Sequence, residues 1–484
     1  MNFGIIKRNI GWLLIFLSIF FTVPMITAAI YWEAEFFAFL ISAAIALSAG
    51  LLCVFAGRVK SEEMYAKEGF VTVALSWIVM SLFGALPFVI SGAIPSFVDA
   101  LFEIVSGFTT TGATILSAEG INTFAKSMLM WRSFSHWIGG MGVLVFMMAF
   151  LPMSGARNLH MMQAESTGAS VSKLVPKMKQ TAKILYIIYF AMTFVQFVLL
   201  LIGKMPLFDA VNTAFATAGT GGFATSGDSM AGYSPYLQIV VTVFMILFSI
   251  NFNSFYLIVK GKFCEAFTTE VKTFLVIVLA AISIISVNVY FCADNWSYTL
   301  PETVLHSAFS VASIISTTGF ATVDFNLWPT LSKTILVLVM FIGACAGSTG
   351  GGIKVSRLVV GFKGAKHEVG QMIHPNRVKR ITVDGRPIEQ DVVRSIFVYF
   401  IAFAAIFAAS VLLISLDGKT AETTFTAVAA TINNIGPGLG EVGPAGNFAD
   451  FSVFSKFVFI FDMLLGRLEL FPMLVLFAPS TWRK

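Results

Sequence analysis

The chain has 484 residues, of which 57% are hydrophobic and only 12% are charged. Soluble domains carry about 25% charged residues, so this composition excludes a soluble globular protein and indicates a chain that crosses a membrane many times. The four cysteines have neither paired nor metal-like spacing, which argues against a disulfide framework and a zinc site.

Two apolar runs, residues 9–30 and 36–56, precede the rest of the chain. A cleaved signal peptide also begins with basic residues before an apolar core, but here the first run is long and a second run follows it closely. We therefore predict two leading transmembrane helices within residues 1–60, joined by a short loop that carries Glu33 and Glu35.

From residue 70 onward, a glycine-centred motif recurs four times at intervals of roughly 100 residues, which is typical of an internal repeat. Each motif follows a short apolar segment, and both lie between two long apolar runs. The central glycines are Gly112, Gly222, Gly319 and Gly436. We predict four repeats, at residues 70–153, 181–260, 271–363 and 391–479.

The short segments, residues 96–108, 207–218, 301–315 and 420–432, cannot cross about 30 Å of hydrocarbon. Each has an acidic residue near its start, where the positive end of a helix dipole stabilises it: Asp99, Asp209, Glu302 and Glu422. We predict half-length helices that enter from outside and end within the membrane. The predicted fold is an all-α membrane protein with four membrane-pore-membrane repeats around one pseudo-fourfold pore, preceded by two extra transmembrane helices.

The distribution of charge predicts the orientation. With a cytoplasmic N-terminus, 24 of the 31 Lys and Arg residues fall in segments that face the inside, as the positive-inside rule requires. The net charge of +5 therefore reflects cytoplasmic loops that would meet anionic membrane lipid or an acidic partner, and no nucleic acid is indicated. The outer side collects carboxylates, which would raise the local concentration of cations.

The glycine motifs predict an ion filter. A ring of backbone carbonyls can replace the water shell of a potassium ion without burying a fixed charge, and glycine allows the dihedrals that aim carbonyls at an axis. The second copy departs from the others at Gly221, and the fourth at Asn434 and Pro437, so we expect an asymmetric pore. The predicted potassium-binding residues are Thr110, Thr111, Gly112, Ala113, Thr220, Gly221, Gly222, Phe223, Thr317, Thr318, Gly319, Phe320, Asn434, Ile435, Gly436 and Pro437.

With these motifs, the chain resembles the TrkH/KtrB superfamily of potassium uptake proteins, and within it the bacterial TrkH branch. The resemblance rests on the two leading helices, the four repeats, and the stretches 131–133, 137–142 and 465–470. It implies potassium uptake across the bacterial inner (plasma) membrane by a homodimer with one pore per subunit. It also implies a separate cytosolic regulatory ring of TrkA type that binds nucleotides, and potassium as the bound ion without an organic cofactor in this chain.

A glycine-rich stretch, residues 343–352, interrupts the last apolar run of the third repeat. A nucleotide-binding phosphate loop would need Lys and Ser or Thr after its glycines, whereas Ile353 follows Gly352. A close helix-packing patch remains an alternative. We favour an intramembrane loop that obstructs the pore below the filter, a function that the resemblance also implies, with gate residues Gly347, Ser348, Thr349, Gly350, Gly351 and Gly352.

Arg467 lies about midway along the last apolar run, where an unpaired guanidinium costs at least roughly 2.5 kcal/mol. It should therefore pair with Asp462 or Glu469, or face the pore and hold the glycine loop shut. We predict the second role and assign Arg467 to the gate. For Arg132 we predict a structural role, as a brace of the first half-helix through Glu103.

Two other classes of function remain to be weighed against a gated potassium pore. A symporter coupled to sodium or protons would need a buried titratable group, for which Asp462 and Glu469 are the candidates. An intramembrane enzyme would need a cluster of His, Cys, Asp or Glu, and the five scattered histidines argue against one. The basic segments 154–183 and 362–391 are either positive-inside charge or the docking surface for the regulatory ring.

Overall fold

The computed structural model describes residues 1–57, 66–142, 178–293, 297–374 and 380–482. The end of the first predicted repeat, residues 143–153, and most of the basic segment 154–183 therefore lie outside the described residues.

Six helices in the described ranges are long and apolar enough to cross a membrane. Two of them are the leading helices, and the other four each precede one of the half-length helices. Their spans are Phe3–Tyr31 (as Phe3–Phe20 and Thr22–Tyr31), Glu35–Ala56, Lys67–Ser91 (as Ala66–Gly84 and Leu86–Ser91), Ala182–Ile202 within Met178–Ile202, Thr269–Cys292, and Gln390–Asp417 (as Gln390–Ile414 and the 3₁₀ turn Ser415–Asp417). We call the last four the outer helices.

The two leading helices approach each other closely at a pair of glycines. A Cβ atom built on Gly11 would lie 2.7 Å from the carbonyl oxygen of Gly50, and one built on Gly50 would lie 2.8 Å from that of Gly11. Small residues at a crossing let helix backbones meet and increase dispersion contacts in a lipid solvent. The predicted hairpin of two leading helices is confirmed.

The four short segments form helices, as predicted, and we call them pore helices one to four. They are Phe97–Phe108, Leu207–Gly219, Leu300–Ile315 and Ala421–Ile432, each with the predicted acidic residue in its first turn. Capping residues fix three of the starts: the side chains of Ser96 and Thr420 accept from backbone N–H groups, and Thr299 and Glu302 form a capping box.

We call the long helix that follows each pore helix and its motif the inner helix, and in the described residues the inner helices of the second, third and fourth repeats are interrupted. We predicted an interruption only in the third, but the second bends by 94° after Phe248 and the fourth breaks after Arg467. The described inner segments are Lys126–Gly140 in the first repeat, Pro235–Phe248 and Phe252–Val259 in the second, Thr330–Ile342 and Val355–Ile373 in the third, and Val453–Arg467 and Phe471–Phe477 in the fourth.

Short elements connect the long helices. Turns of helix occur at Ala118–Thr123, Phe263–Ala266, Phe325–Leu327, Gly440–Val442 and Pro479–Trp482. Strands Thr382–Val383 and Arg386–Pro387 form an antiparallel hairpin with Thr382 opposite Pro387. The apolar core surrounds the pore helices, where Phe108 meets Trp131 edge-on with ring centroids 5.7 Å apart.

Candidate ion pore

Each pore helix ends with the same backbone conformation. A residue in the left-handed region follows the helix, and two residues later comes a glycine with positive φ. The left-handed residues are Thr110, Thr220, Thr317 and Asn434, with φ of 57°, 56°, 59° and 56°. The glycines are Gly112, Gly222, Gly319 and Gly436, with φ of 78°, 73°, 88° and 95°.

The residue between them closes the end of each helix by a hydrogen bond back to the helix. Thr111, Gly221, Thr318 and Ile435 donate their N–H groups to Ser106, Ala216, Ser313 and Ala430, at 2.8–2.9 Å. These are the long bonds of a Schellman cap, whose left-handed position usually holds glycine or asparagine. Asn434 thus occupies the left-handed position with a residue type that tolerates it, whereas a β-branched threonine there is strained.

The four glycines lie beside one another's segments in cyclic order. A Cβ atom on Gly112 would collide with the carbonyl oxygen of Gly221, and one on Gly222 with that of Thr318. A Cβ atom on Gly319 would collide with the carbonyl oxygen of Ile435, and one on Gly436 would lie 2.7 Å from that of Thr111. These four segments, which we call filter segments one to four, therefore close into a ring that backbone oxygens approach from every repeat. They are residues 110–113, 220–223, 317–320 and 434–437.

The residues after the glycines line an open vestibule. It holds about 650 Å³ of space continuous with solvent and is lined by residues of all four repeats, including Gly112, Gly222, Gly319 and Gly436. Ala113, Phe223 and Pro437 are among the predicted filter residues on its wall. Phe320 is buried, and its carbonyl oxygen accepts a hydrogen bond from Ser313 at 2.6 Å.

Carboxylates at the starts of the pore helices are partly neutralised. Asp99 pairs with Lys456 at 2.6 Å, and Glu422 with Lys333 at 3.5 Å. Asp209 accepts from Thr225 at 2.7 Å, and burial together with this carboxylate raises the pKa of Tyr233 to about 12. The attraction of the outer mouth for cations is therefore weaker than a count of carboxylates suggests.

The expected brace between Arg132 and Glu103 is present. Arg132 Nε lies 2.7 Å from Glu103 Oε1, and both side chains are buried. Glu103 also accepts from Thr114 Oγ1 and from the N–H of Ile115, at 2.9 and 3.0 Å. The guanidinium lies over the ring of Phe223, 4.0 Å from its centroid. This pair therefore connects the first pore helix to Thr114 and Ile115, just after the first filter segment, and to Phe223 at the end of the second.

The glycine-rich stretch lies on the opposite side of the ring from the vestibule. The N–H of Gly351 donates to Thr317 Oγ1 at 2.6 Å, and the N–H of Gly352 to the carbonyl of Asn433 at 3.1 Å. A Cβ atom on Gly350 would lie 2.8 Å from the carbonyl oxygen of Ser316. The stretch therefore rests directly against the ends of the third and fourth pore helices.

Other parts of the same stretch contact the second inner helix and a carboxylate. Thr349 Oγ1 donates to the carbonyl of Phe248 at 3.1 Å, and Gly347 lies next to Asn251 at the bend. Ser348 Oγ donates within the stretch, to Cys345 at 2.6 Å. Glu270 accepts from the N–H groups of Ala346, within the stretch, and Ser356, just after it, at 2.6 and 3.1 Å.

Arg467 joins the glycine stretch to the first repeat. It donates to the carbonyl of Thr349 at 2.9 Å, to Thr110 Oγ1 at 3.2 Å and to Gly140 at 2.8 Å, with a further bond to Gly139. The alternative partners are engaged elsewhere, since Asp462 accepts from Ser410 at 2.8 Å and Glu469 pairs with Arg357. The arginine thus faces the glycine stretch.

Three residues of this region were missed in the sequence. His136 packs behind the second filter segment, Glu270 accepts from both ends of the segment 346–356, and Lys354 contacts the carbonyl of Gly350 from a backbone with positive φ of 81°. His136 and Glu270 lie far in the sequence from the groups that they contact. The proximity of Lys354 to the glycines is the one signal that the sequence offered.

Known proteins resemble this chain along its whole length. The family TrkH, described as cation transport protein, matches residues 35–484. The Trk system potassium uptake proteins TrkH of Salmonella typhimurium and of Escherichia coli K12 are 35% and 34% identical, and each alignment covers 100% of both chains. The crystal structure of the potassium transporter TrkH from Vibrio parahaemolyticus matches with a TM-score of 0.89 at 32% identity and covers 100% of both chains. These names describe transport proteins rather than enzymes.

Proposed function

Because this chain belongs to the TrkH family of cation transport proteins, we propose that it takes up potassium ions through the ring formed by its four filter segments. It is a multi-pass membrane protein, since the family match accompanies six apolar spans in the described residues. The observation that carries the proposal is the cyclic contact of Gly112, Gly222, Gly319 and Gly436 with the carbonyls of the neighbouring segments.

A ring of this kind suits a monovalent cation that must give up its water. Carbonyl oxygens of Thr111, Gly221, Thr318 and Ile435 would replace hydration oxygens, while no carboxylate is needed at the ring. The threonine hydroxyls would contribute less to ion binding than their number suggests, because two of them already accept hydrogen bonds. Thr110 accepts from Arg467, and Thr317 accepts from the N–H of Gly351 in the glycine stretch. We assign ion binding mainly to the backbone of the predicted filter residues.

The glycine stretch would gate this pore. It lies under the ring and is held by hydrogen bonds to the third and fourth pore helices, by Glu270 and by Arg467. A positive charge at this depth would also repel a cation that enters the filter. Ions would pass to the inside only when residues 347–352 move away from the axis.

Substitution of a ring glycine tests the proposal. Gly112→Ala places a methyl group against the carbonyl of Gly221 at a positive φ, so we expect potassium uptake into proteoliposomes under an imposed voltage to fall at least about tenfold. Gly232→Ala is the matched control, because a Cβ atom there has no neighbour within 4 Å. Equal uptake by both variants would contradict a carbonyl-lined filter at Gly112.

Coupled symport is the second candidate, and Asp462 is the observation that favours it. This carboxyl is buried within the fourth inner helix, and one of its oxygens is bonded to Ser410. Removal of the sodium and pH gradients in turn separates the candidates, since a channel needs only the voltage. If uptake stops without a pH gradient and Asp462→Asn removes that dependence, the symporter is the correct description.

The assembly around the pore is also proposed. We place the N-terminus and the basic loops in the cytoplasm of a bacterium, with the pore in its inner membrane, a second copy forming a homodimer, and a nucleotide-binding ring of TrkA type beneath. Supporting this, the chain is similar over its whole length to proteins named as parts of a Trk system. The repeat boundaries 70–153, 181–260, 271–363 and 391–479 stay a prediction.

A further inference from the structure

The second filter segment lacks a side chain that the other three possess. The position before the ring glycine holds Thr111, Thr318 and Ile435 in the first, third and fourth segments, and all three are buried behind the ring. In the second segment this position is Gly221. Its φ is not in the left-handed region, so the backbone would accept a side chain. A contact with another part of the protein must therefore exclude a side chain at position 221.

The imidazole of His136 fills that space. A Cβ atom built on Gly221 would collide with Nδ1, Cγ and Cε1 of this ring, and one built on Gly219 would lie 2.9 Å from the Cβ atom of His136. His136 is fully buried and belongs to the first inner helix, so the filling group comes from a neighbouring repeat. The ring also contacts Phe223, with centroids 4.3 Å apart.

The hydrogen bonds of His136 define its protonation. Nε2 accepts from the N–H of Phe223 at 3.3 Å, and Nδ1 lies 2.7 Å from the carbonyl oxygen of Gly107, to which it must donate. The imidazole is therefore neutral with its proton on Nδ1, because a second proton would face the Phe223 N–H group. It links the end of the first pore helix to the second filter segment on the vestibule side of Gly222.

We propose that His136 is a positioning residue of the filter, which replaces the missing side chain at position 221 and sets where the Gly221 carbonyl lies in the ring. This inference rests on the proposed function of the ring as an ion filter. The imidazole of His136 then compensates for the missing side chain at position 221. The second segment keeps its place in the ring although its sequence differs from those of the other three.

A reciprocal exchange tests the pair. His136→Ala opens a space and leaves the Phe223 N–H unbonded, and Gly221→Thr alone collides with the ring. We expect each to lower the ratio of potassium to sodium uptake by roughly fivefold, the factor for about one hydrogen bond. The double variant should recover most of the ratio, because a threonine at position 221 matches Thr111 and Thr318. His136→Gln, whose amide NH₂ can donate to the Gly107 carbonyl while its oxygen accepts from the Phe223 N–H, should retain it.

His306→Ala is the matched control, since the imidazole of His306 bonds to Thr322 Oγ1 at 3.0 Å and packs edge-on against the ring of Tyr298. Melting temperatures of the purified variants give a second readout, in which the double variant should exceed either single one. Unchanged selectivity in both single variants, or losses in selectivity and melting temperature that simply add in the double variant, would overturn the pairing. A wild-type protein without potassium uptake would instead overturn the proposed function.

Discussion

Arg467 contacts backbone oxygens from two repeats and so acts as a clamp. Its bonds to Gly139 and Gly140 hold the first inner helix, while its bond to Thr349 holds the glycine stretch. Carbonyl oxygens satisfy a buried guanidinium without a carboxylate, and charge-assisted bonds of this kind contribute about 1.5–3 kcal/mol each. Arg467 is therefore one of the groups that hold the stretch against the pore helices, together with Thr317 and Glu270.

Removing the charge of Arg467 should favour the open pore. We expect Arg467→Gln to raise basal potassium flux about tenfold, because the glutamine cannot reach all the carbonyls and no longer repels cations. Flux into proteoliposomes without any partner protein measures this. Arg394→Gln, at an exposed position on the fourth outer helix, is the control. A fall in flux at normal expression would contradict the clamp.

At the same scale, the sequence predicted which residues form the ring but not how the backbone positions them. The ring glycines could be found because the motif recurs and because glycine permits positive φ. The left-handed Thr110, Thr220 and Thr317 could not, since threonine disfavours that region and only the surrounding contacts impose it. His136 likewise depends on the packing of two repeats, which no local pattern encodes.

At the scale of elements, the outer helices and pore helices were predictable, whereas the breaks in the second and fourth inner helices were not. Length, apolar runs and acidic caps identify the first two kinds. The break in the second inner helix falls at residues 249–251, which contain no glycine or proline. In the fourth, Glu469 and Leu470 take φ of 56° and 67° although both are good helix formers. Tertiary contacts, such as the Arg357–Glu469 pair, override the local preference.

The glycine stretch should behave as a removable obstruction. Deleting residues 348–352 takes away its contacts with Thr317, Asn433 and Arg467, so we expect basal potassium flux to rise and to respond less to regulation. Flux in proteoliposomes measures the first effect. Combining the deletion with Arg467→Gln should add little, because both changes act on the same closed contact. Unchanged basal flux after the deletion would argue for a packing patch instead.

At the scale of the whole molecule, the glycine stretch that we propose as the gate is connected directly to the helix and hairpin that we propose to lie on the cytoplasmic side. The helix Val355–Ile373 begins immediately after Lys354, at the end of the glycine stretch. Its Lys363 donates to the carbonyl of Thr382 in the hairpin at 2.9 Å, and Asp384 of the hairpin accepts from the N–H of Thr269 at 2.7 Å. A protein that displaces this helix or hairpin would therefore act on the proposed gate.

This connection predicts where a regulatory ring docks. Lys366, Arg380 and Arg386 are exposed on this surface, so reversing all three to glutamate should abolish co-purification with a TrkA-type ring and leave the basal flux of the isolated protein unchanged. Lys204→Glu, at an exposed position on the outer side, should leave co-purification intact. Co-purification distinguishes the two interpretations of the basic segment: charges that serve only to orient the chain could be reversed without loss of the partner, whereas the charges of a docking surface could not. Retained co-purification by the triple variant would assign these residues to membrane orientation alone, and the gate would then need another route to its regulator.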